Sequence, residues 1–129
     1  MKVIDLFLKG RIYSKKNSKQ IIRCKSRPML ISSSEYIKWE KWAVLELKSQ
    51  ANRDVLKKPF ECCDVVLGIT FPDKRRSDLS NKAEGVLDAL IKAGIIKDDC
   101  WAVVRSLNMF ALEGNEPGCR IHISERGIQ

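Results

Sequence analysis

The sequence of 129 residues lacks any long apolar run, because its hydrophobic residues are interspersed with charged ones. No run approaches the roughly 20 apolar residues that a membrane-spanning helix needs, so we expect no membrane partner. The first residues, MKVIDLFLKG, carry Asp5 inside their apolar stretch and lack a small-residue cleavage site, which argues against a secretory signal. Internal repeats, low-complexity tracts and linkers are also absent. We therefore expect one cytoplasmic domain over residues 1–129.

The cysteine pattern is a poor match to a disulfide framework. The count of five is odd and Cys62 and Cys63 are adjacent, which favours a reducing compartment. Cys119 and His122 form a C-x-x-H pair that could be half of a zinc site, but no second pair completes it. We interpret these two residues as part of a half-buried strand instead.

The net charge of +8 is concentrated in one segment. Residues 6–34 hold eight basic and no acidic side chains, whereas the rest of the chain holds 16 of each sign. A localised basic segment favours a polyanion such as nucleic acid as partner; a solvated basic loop that aids solubility is the alternative. The eight basic residues are Lys9, Arg11, Lys15, Lys16, Lys19, Arg23, Lys25 and Arg27.

Apolar periodicity predicts a single α+β domain with two main helices packed on a mixed β-sheet. Ser32 and Glu35 form a capping-box pattern that opens the first helix, and the second helix begins near Ser80. The almost continuously apolar run Asp64–Phe71 is predicted as a central strand covered on both faces. Further strands are predicted at Val3–Leu8, Ile21–Arg23 (reached through a polar hairpin connection), Met29–Ile31, Trp101–Ala111 and Cys119–Ser124.

The first helix has a core-facing stripe formed by Tyr36, Trp39, Ala43 and Leu47 at three- and four-residue steps. Trp42 and Leu45 fall outside it. Two interpretations stay open: partial burial at the edge of the stripe, or contact with another subunit.

The segment PDKRRSDLSNKAEGVLDALIKAGIIKDD, residues 72–99, combines a basic run with several acids around an amphipathic helix. Gly94 is a suitable C′ residue for that helix, with Ile95 folding back onto Leu90. Each acid has an ordinary explanation as a helix cap, a solvated helix residue or a turn former. Together, beside three cations, they favour a bound metal ion. The acids are Asp78, Glu84, Asp88, Asp98 and Asp99.

Carboxylates beside a polyanion-attracting surface indicate Mg²⁺-dependent phosphodiester hydrolysis. Mg²⁺ prefers hard oxygen ligands and often takes only one or two protein carboxylates, with phosphate and water completing its shell. The metal activates water and polarises the phosphoryl group, while Lys and Arg hold the DNA backbone. The predicted phosphate contacts are Lys74, Arg75, Arg76, Lys15, Lys16, Lys19 and Lys82.

Residues 72–99 resemble the RusA-like Holliday-junction resolvases, which are common in phages and prophages. The basic run before D-L-x-N, the L-D-A-L, the A-G-I-I and the terminal D-D all match that family's pattern. The resemblance implies a homodimeric, Mg²⁺-dependent endonuclease that nicks two strands of a four-way DNA junction symmetrically, without a small-molecule cofactor. It implies that Asp78 and Asp99 hold the metal, with Asp98 beside them, and that such an enzyme serves DNA recombination and repair.

Two positions depart from the family's pattern. Many relatives carry an aspartate where this chain has Ser80, and some carry a catalytic lysine where it has Glu84. Ser80 and Glu84 are one helical turn apart, so the Glu84 carboxylate is predicted to serve the metal site in place of the missing aspartate. The alternatives are a catalytically inactive nucleic-acid-binding module on the same scaffold and, less favoured, a basic RNA-binding protein.

Overall fold

The computed structural model describes residues 2–14, 19–24, 27–32, 34–53, 58–71 and 79–127. Within them the chain forms two helices and six strands. The helices are α1 (Ser34–Arg53) and α2 (Leu79–Lys92). The strands are β1 (Val3–Lys9), β2 (Lys19–Cys24), β3 (Arg27–Ser32), β4 (Cys63–Thr70), β5 (Val104–Leu112) and β6 (Gly118–Glu125).

The main sheet has four strands in the order β1-β6-β4-β5. β4 runs parallel to β5, and both the β1–β6 and the β4–β6 pairs are antiparallel. A parallel pair needs a crossover between its strands, and α2 lies in that connection. β2 and β3 form a separate two-stranded sheet. The prediction of a single α+β domain with a mixed sheet and two main helices is confirmed.

The core lies on one face of the main sheet, between the strands and the two helices. The buried side chains of α1 (Tyr36, Trp39, Ala43, Leu47 and Ala51) join those of α2 and alternate residues of β1, β4 and β6 in one cluster. In β6, Cys119, Ile121 and Ile123 are buried while Arg120 and His122 are exposed, as predicted. Cys119 and His122 therefore face opposite sides of the sheet and do not share a ligand.

Among the described residues, the second face of the main sheet is only partly covered. In β4, Cys63, Val65, Leu67 and Ile69 are buried but the intervening residues are half-buried. Phe7 in β1 and Phe110 and Leu112 in β5 are exposed. The prediction that Asp64–Phe71 is covered on both faces is therefore wrong, because helices pack against one side of this sheet. We call the second side the outer face.

The structure bears on three local expectations from the sequence. β1 pairs with β6, at the other end of the chain, and β2 pairs with β3, so the predicted hairpin into Ile21–Arg23 does not join those strands. Ser32 is the last residue of β3 and α1 is described from Ser34, so the predicted capping box depends on Ser33, which lies outside the described residues. Trp42 and Leu45 are 40% and 68% exposed, which excludes partial burial for Leu45.

Candidate active site and nucleic-acid interface

Helix α2 places two acids on the side that faces away from its core stripe. Ala83, Val86 and Leu90 are buried, as their spacing predicted. Glu84 is exposed and Asp88, one turn later, is half-buried. Residues four apart lie on the same helix face, so the two carboxylates follow one line along α2. Asn81, three residues before Glu84, is buried.

The end of α2 directs the chain into the turn that carries the aspartate pair. Gly94 adopts φ 74°. Its N–H donates to Ile91 O at 3.0 Å, and the Ile95 N–H donates to Leu90 O at 3.0 Å. This is the predicted glycine termination, in which the left-handed residue lets the chain fold back on the last turn. Ile95 is fully buried against the core, which fixes the direction of the residues that follow.

Backbone hydrogen bonds hold that turn, residues 95–103, against the start of β4. The Phe60 N–H donates to Ile95 O at 2.8 Å, and the Lys97 N–H donates to Phe60 O at 3.0 Å. Val103 O accepts from the Cys63 N–H at 2.7 Å. Asp98 and Asp99 lie exposed between these two attachments, and the Asp99 N–H donates to Asp98 Oδ1 at 2.8 Å.

The turn brings Asp99 into electrostatic range of α2. Partial burial, followed by the negative charges of Asp98 and Asp88, raises the pKa of Asp99 above the ordinary aspartate value. Like charges near a carboxylate disfavour its ionised form. The charges of Asp98 and Asp88 therefore disfavour the ionised form of Asp99, and a bound cation would favour it.

A network between the two helices lies beside Asp88. The Tyr36 hydroxyl donates to Glu40 Oε2 at 2.9 Å. Burial, the bond to Glu40 and the charges of Glu40 and Asp88 raise the pKa of Tyr36 far above its usual range. The Lys92 ammonium forms an ion pair with Glu40. These contacts tie α1 to α2 and add negative potential on the side of α2 where Asp88 lies.

Lys82 lies on a different side of α2 and is only 9% exposed. Its ammonium donates to Ile12 O at 2.8 Å, and burial together with the charge of Arg11 lowers its pKa. Gly85 allows the same close approach, since a Cβ there would lie 2.8 Å from Tyr13 O. α2 thus anchors the segment that leads into residues 15–18. The predicted contact between Lys82 and DNA stays a prediction, but the described ammonium is bound to the backbone.

The predicted site residues divide into described and undescribed ones. Asp98 and Asp99 adjoin each other in the turn, and Glu84 lies one helical turn before Asp88. Lys19 is part of β2. Outside the described residues are Asp78, Lys74, Arg75, Arg76, Lys15 and Lys16. Asp88 was absent from the predicted catalytic and metal-binding set, although its four-residue spacing from Glu84 and its place on the same helix face pointed to it.

The donor atoms suit Mg²⁺, which prefers carboxylate oxygens and completes its shell with water and phosphate. The negative charges of Asp98 and Asp88 near Asp99 are an arrangement that a shared cation would stabilise. Within the described part of the chain, however, no three His, Cys, Asp or Glu side chains are grouped closely enough to hold a metal ion. Asp78, which is predicted to hold the metal, lies outside the described residues.

A protein-family model matches most of the chain. The family model described as Endodeoxyribonuclease RusA matches residues 9–124, from the end of β1 to the end of β6. The chain belongs to the RusA family. A search of curated proteins gave no match.

The matched range includes both helices and all strands except most of β1, and it contains the aspartate turn. Membership in the RusA family identifies the chain as an endodeoxyribonuclease of the Holliday-junction-resolving kind. The two departures from the RusA pattern, Ser80 and Glu84, are both exposed at the start of α2. Among the described residues, neither helix is long and apolar enough to cross a membrane.

Proposed function

We propose that this protein resolves four-way DNA junctions as a Mg²⁺-dependent homodimer that nicks two strands symmetrically, in the service of DNA recombination and repair in a phage or prophage. The observation that carries the proposal is the exposed turn with Asp98 and Asp99, in electrostatic range of Asp88 on α2, in a chain that matches the RusA family along most of its length. Acids gathered on an exposed turn, in a protein of net charge +8, suit a site that binds a cation and a phosphate together.

The metal would be held by Asp78 and Asp99, with Asp98 beside them and Glu84 reaching in from α2. When bound, Mg²⁺ would polarise the scissile phosphoryl group and lower the pKa of a coordinated water. Asp99 supports this because it is exposed on a turn held at both ends and has the negative charges of Asp98 and Asp88 near it, which a bound cation would offset. Asp88 would contribute negative potential from the same helix face as Glu84.

Glu84 is assigned the place of the aspartate that Ser80 replaces. The Ser80 and Glu84 side chains are both exposed and lie one helical turn apart, so the longer Glu84 side chain can extend toward the position that an acid at Ser80 would occupy. In this role Glu84 orients the metal or a water molecule and does not replace the lysine that some relatives carry.

DNA would be held through its phosphates by Lys74, Arg75 and Arg76 beside the acids and by Lys15, Lys16 and Lys19 in the N-terminal segment. Lys82 would act indirectly, by fixing Ile12 and so the start of that segment beside α2. Phosphate contacts carry no base information, so the geometry of the branch would dominate recognition. Binding would weaken with salt, each contact adding about 0.9 to the log–log slope.

The outer face of the sheet is our candidate for the dimer contact. Phe7 and Phe110 expose apolar surface there beside a groove of about 800 Å³. The groove is also lined by Glu116 and Arg120, so the surface offers both signs of charge to a second copy. A two-fold interface joins the same patch on both subunits and must therefore be self-complementary. Two equivalent active sites would suit two equivalent strands of a junction.

Incubation of the purified protein with a labelled four-way junction, with and without Mg²⁺, tests the proposal. We expect paired symmetric nicks only with the metal. Asp78→Asn and Asp99→Asn should abolish cleavage while junction binding survives. Glu113→Gln, which changes an exposed carboxylate before the β5–β6 turn, is the matched control and should cut normally. Cleavage of equal rate in a metal chelator would refute the metal-dependent mechanism.

A second candidate is a nucleic-acid-binding module that has lost catalysis. The observation that favours it is the replacement of two expected site residues by Ser80 and Glu84. The two candidates share junction binding and differ in chemistry. A wild-type protein that binds the junction but leaves it intact with Mg²⁺ or Mn²⁺ would support the binding module.

A further inference from the structure

Trp101 is the most exposed of the large hydrophobic side chains that the structure describes, at 78%. It follows Asp99 by two residues in the same turn, so their Cα atoms are at most about 7 Å apart. Trp101 therefore belongs to the same exposed turn as the aspartate pair of the candidate active site. Trp101 is not part of the described core cluster, so core packing does not explain a tryptophan at this position.

The turn holds Trp101 in a fixed position. The Val103 and Val104 N–H groups both donate to Cys100 O, at 3.0 and 2.9 Å, and close the backbone around Trp101. Val103 is buried and bonded to Cys63, which attaches this turn to the sheet. An aromatic ring on such a support is presented to a ligand with little loss of backbone freedom on binding.

Arg105 adds a cation beside the ring. Its guanidinium carbon lies 5.8 Å from the centre of the Trp101 ring, within the range of a cation–π contact, and its side chain is exposed at the start of β5. An aromatic face next to a cation is the combination that binds bases by stacking and the phosphate backbone by charge. An apolar protein partner would use the ring but not the exposed guanidinium.

We infer that Trp101, supported by Arg105, is a stacking platform for a nucleobase at the branch point of the DNA. This inference rests on the proposed junction endonuclease. At a branch point the terminal base pairs of each arm can expose a face, whereas in a linear duplex every face is covered by its neighbours. Trp101 should therefore contribute to the preference for branched over linear DNA, and Arg105 should hold an adjacent phosphate.

The test compares Trp101→Ala and Trp101→Phe with wild type in the full chain. Binding to a four-way junction and to a linear duplex with the same arm sequence is measured without divalent metal. Stacking on an aromatic side chain contributes on the order of 1–3 kcal/mol per base, so we expect Trp101→Ala to bind the junction roughly tenfold more weakly. Its duplex affinity should stay unchanged, and Trp101→Phe should retain most of the junction affinity.

Ile37→Ala, which removes an exposed apolar side chain from α1, is the control and should bind as wild type. A 2-aminopurine placed at the branch point should lose fluorescence on binding wild type but not Trp101→Ala. Equal affinity of wild type and Trp101→Ala for the junction would overturn the inference. So would equal losses on junction and duplex, or conversion of Trp101→Ala to a monomer in sedimentation. Failure of wild type to cut the junction with Mg²⁺ would instead refute the proposed function.

Discussion

The Gln50 side chain forms hydrogen bonds to both backbone groups of Phe7. The Phe7 N–H donates to Gln50 Oε1 at 2.8 Å, and Gln50 Nε2 donates to Phe7 O at 2.7 Å. β1 is an edge strand of the main sheet, and open edges of this kind can pair with other chains. The amide on α1 thus satisfies the edge backbone at this position, with Glu46 accepting a further bond from Nε2 at 3.0 Å.

Replacing Gln50 should destabilise the edge of the sheet. We expect Gln50→Ala to lower the free energy of unfolding by about 1–2 kcal/mol, because two hydrogen bonds are lost at a partly hydrated position. Gln50→Glu should also destabilise, since a carboxylate accepts from the Phe7 N–H but cannot donate to its carbonyl. Urea denaturation measures both. Ser49→Ala, at an exposed neighbouring position on α1, is the control, and an equal loss there would refute the edge contact.

Asp99→Asn should stabilise the protein in the absence of metal. The folded-state pKa of Asp99 is raised, so the folded state holds this proton more tightly than the unfolded chain. Ionisation therefore costs stability, fully so above the raised pKa and not at all below the usual aspartate range. We expect a higher Tm for Asp99→Asn at pH 7 in EDTA and no difference near pH 3, roughly a unit below the ordinary value of about 3.9.

Added Mg²⁺ should make wild type more stable than Asp99→Asn. An ion that binds only the folded protein raises its Tm. Added Mg²⁺ should therefore raise the Tm of wild type and leave the Tm of Asp99→Asn unchanged. Thermal unfolding followed by circular dichroism measures both effects. A variant that gains as much as wild type from Mg²⁺ would show that Asp99 is not a ligand.

Glu84→Gln should slow cleavage more than it weakens binding. If the Glu84 carboxylate serves the metal site, its loss should reduce the single-turnover rate at least tenfold, in the range of roughly 10–100-fold known for residues that support a metal. Junction affinity should stay within a factor of two. Glu35→Gln, in the exposed first turn of α1, is the matched control. A wild-type rate for Glu84→Gln would reduce Glu84 to a helix-capping residue.

Lys82→Met should leave the salt dependence of DNA binding unchanged, because its ammonium is buried against Ile12 O. Arg76→Ala should reduce the log–log salt slope by about 0.9, since it removes a predicted phosphate contact. Titrations of junction affinity between about 50 and 200 mM salt compare the two. A slope for Lys82→Met that falls as far as that for Arg76→Ala would instead assign Lys82 a direct contact with DNA.

Phe110→Glu should dissociate the dimer if the outer face is the subunit contact. Phe110 is 53% exposed on β5, and a charge buried there without a partner would oppose association. Leu45→Glu places the same charge on the exposed side of α1 and should leave the dimer intact. Sedimentation equilibrium measures whether each variant is a monomer or a dimer. The reverse result would move the contact to Trp42 and Leu45, as one interpretation of the sequence had it.

The sequence by itself determined the elements whose signal is local. The alternation of Cys119, Ile121 and Ile123 predicted β6, the three- and four-residue steps predicted the core faces of both helices, and Gly94 predicted the end of α2. These patterns work because side-chain direction repeats with a fixed period along each element. The sequence also indicated the RusA family, which the family model confirms.

Only the tertiary structure decided which elements meet. Strand periodicity contains no information on partners, so it could not show that β1 pairs with β6 across the whole length of the chain. The apolar run of β4 looked doubly covered because hydrophobicity does not reveal what packs on each face. Likewise, the sequence could not show that the Lys82 ammonium is bound to the carbonyl of Ile12. Nor could it show that Asp88 lies close enough to affect the pKa of Asp99. Burial and pKa depend on such distant contacts, and these arise only when the chain folds.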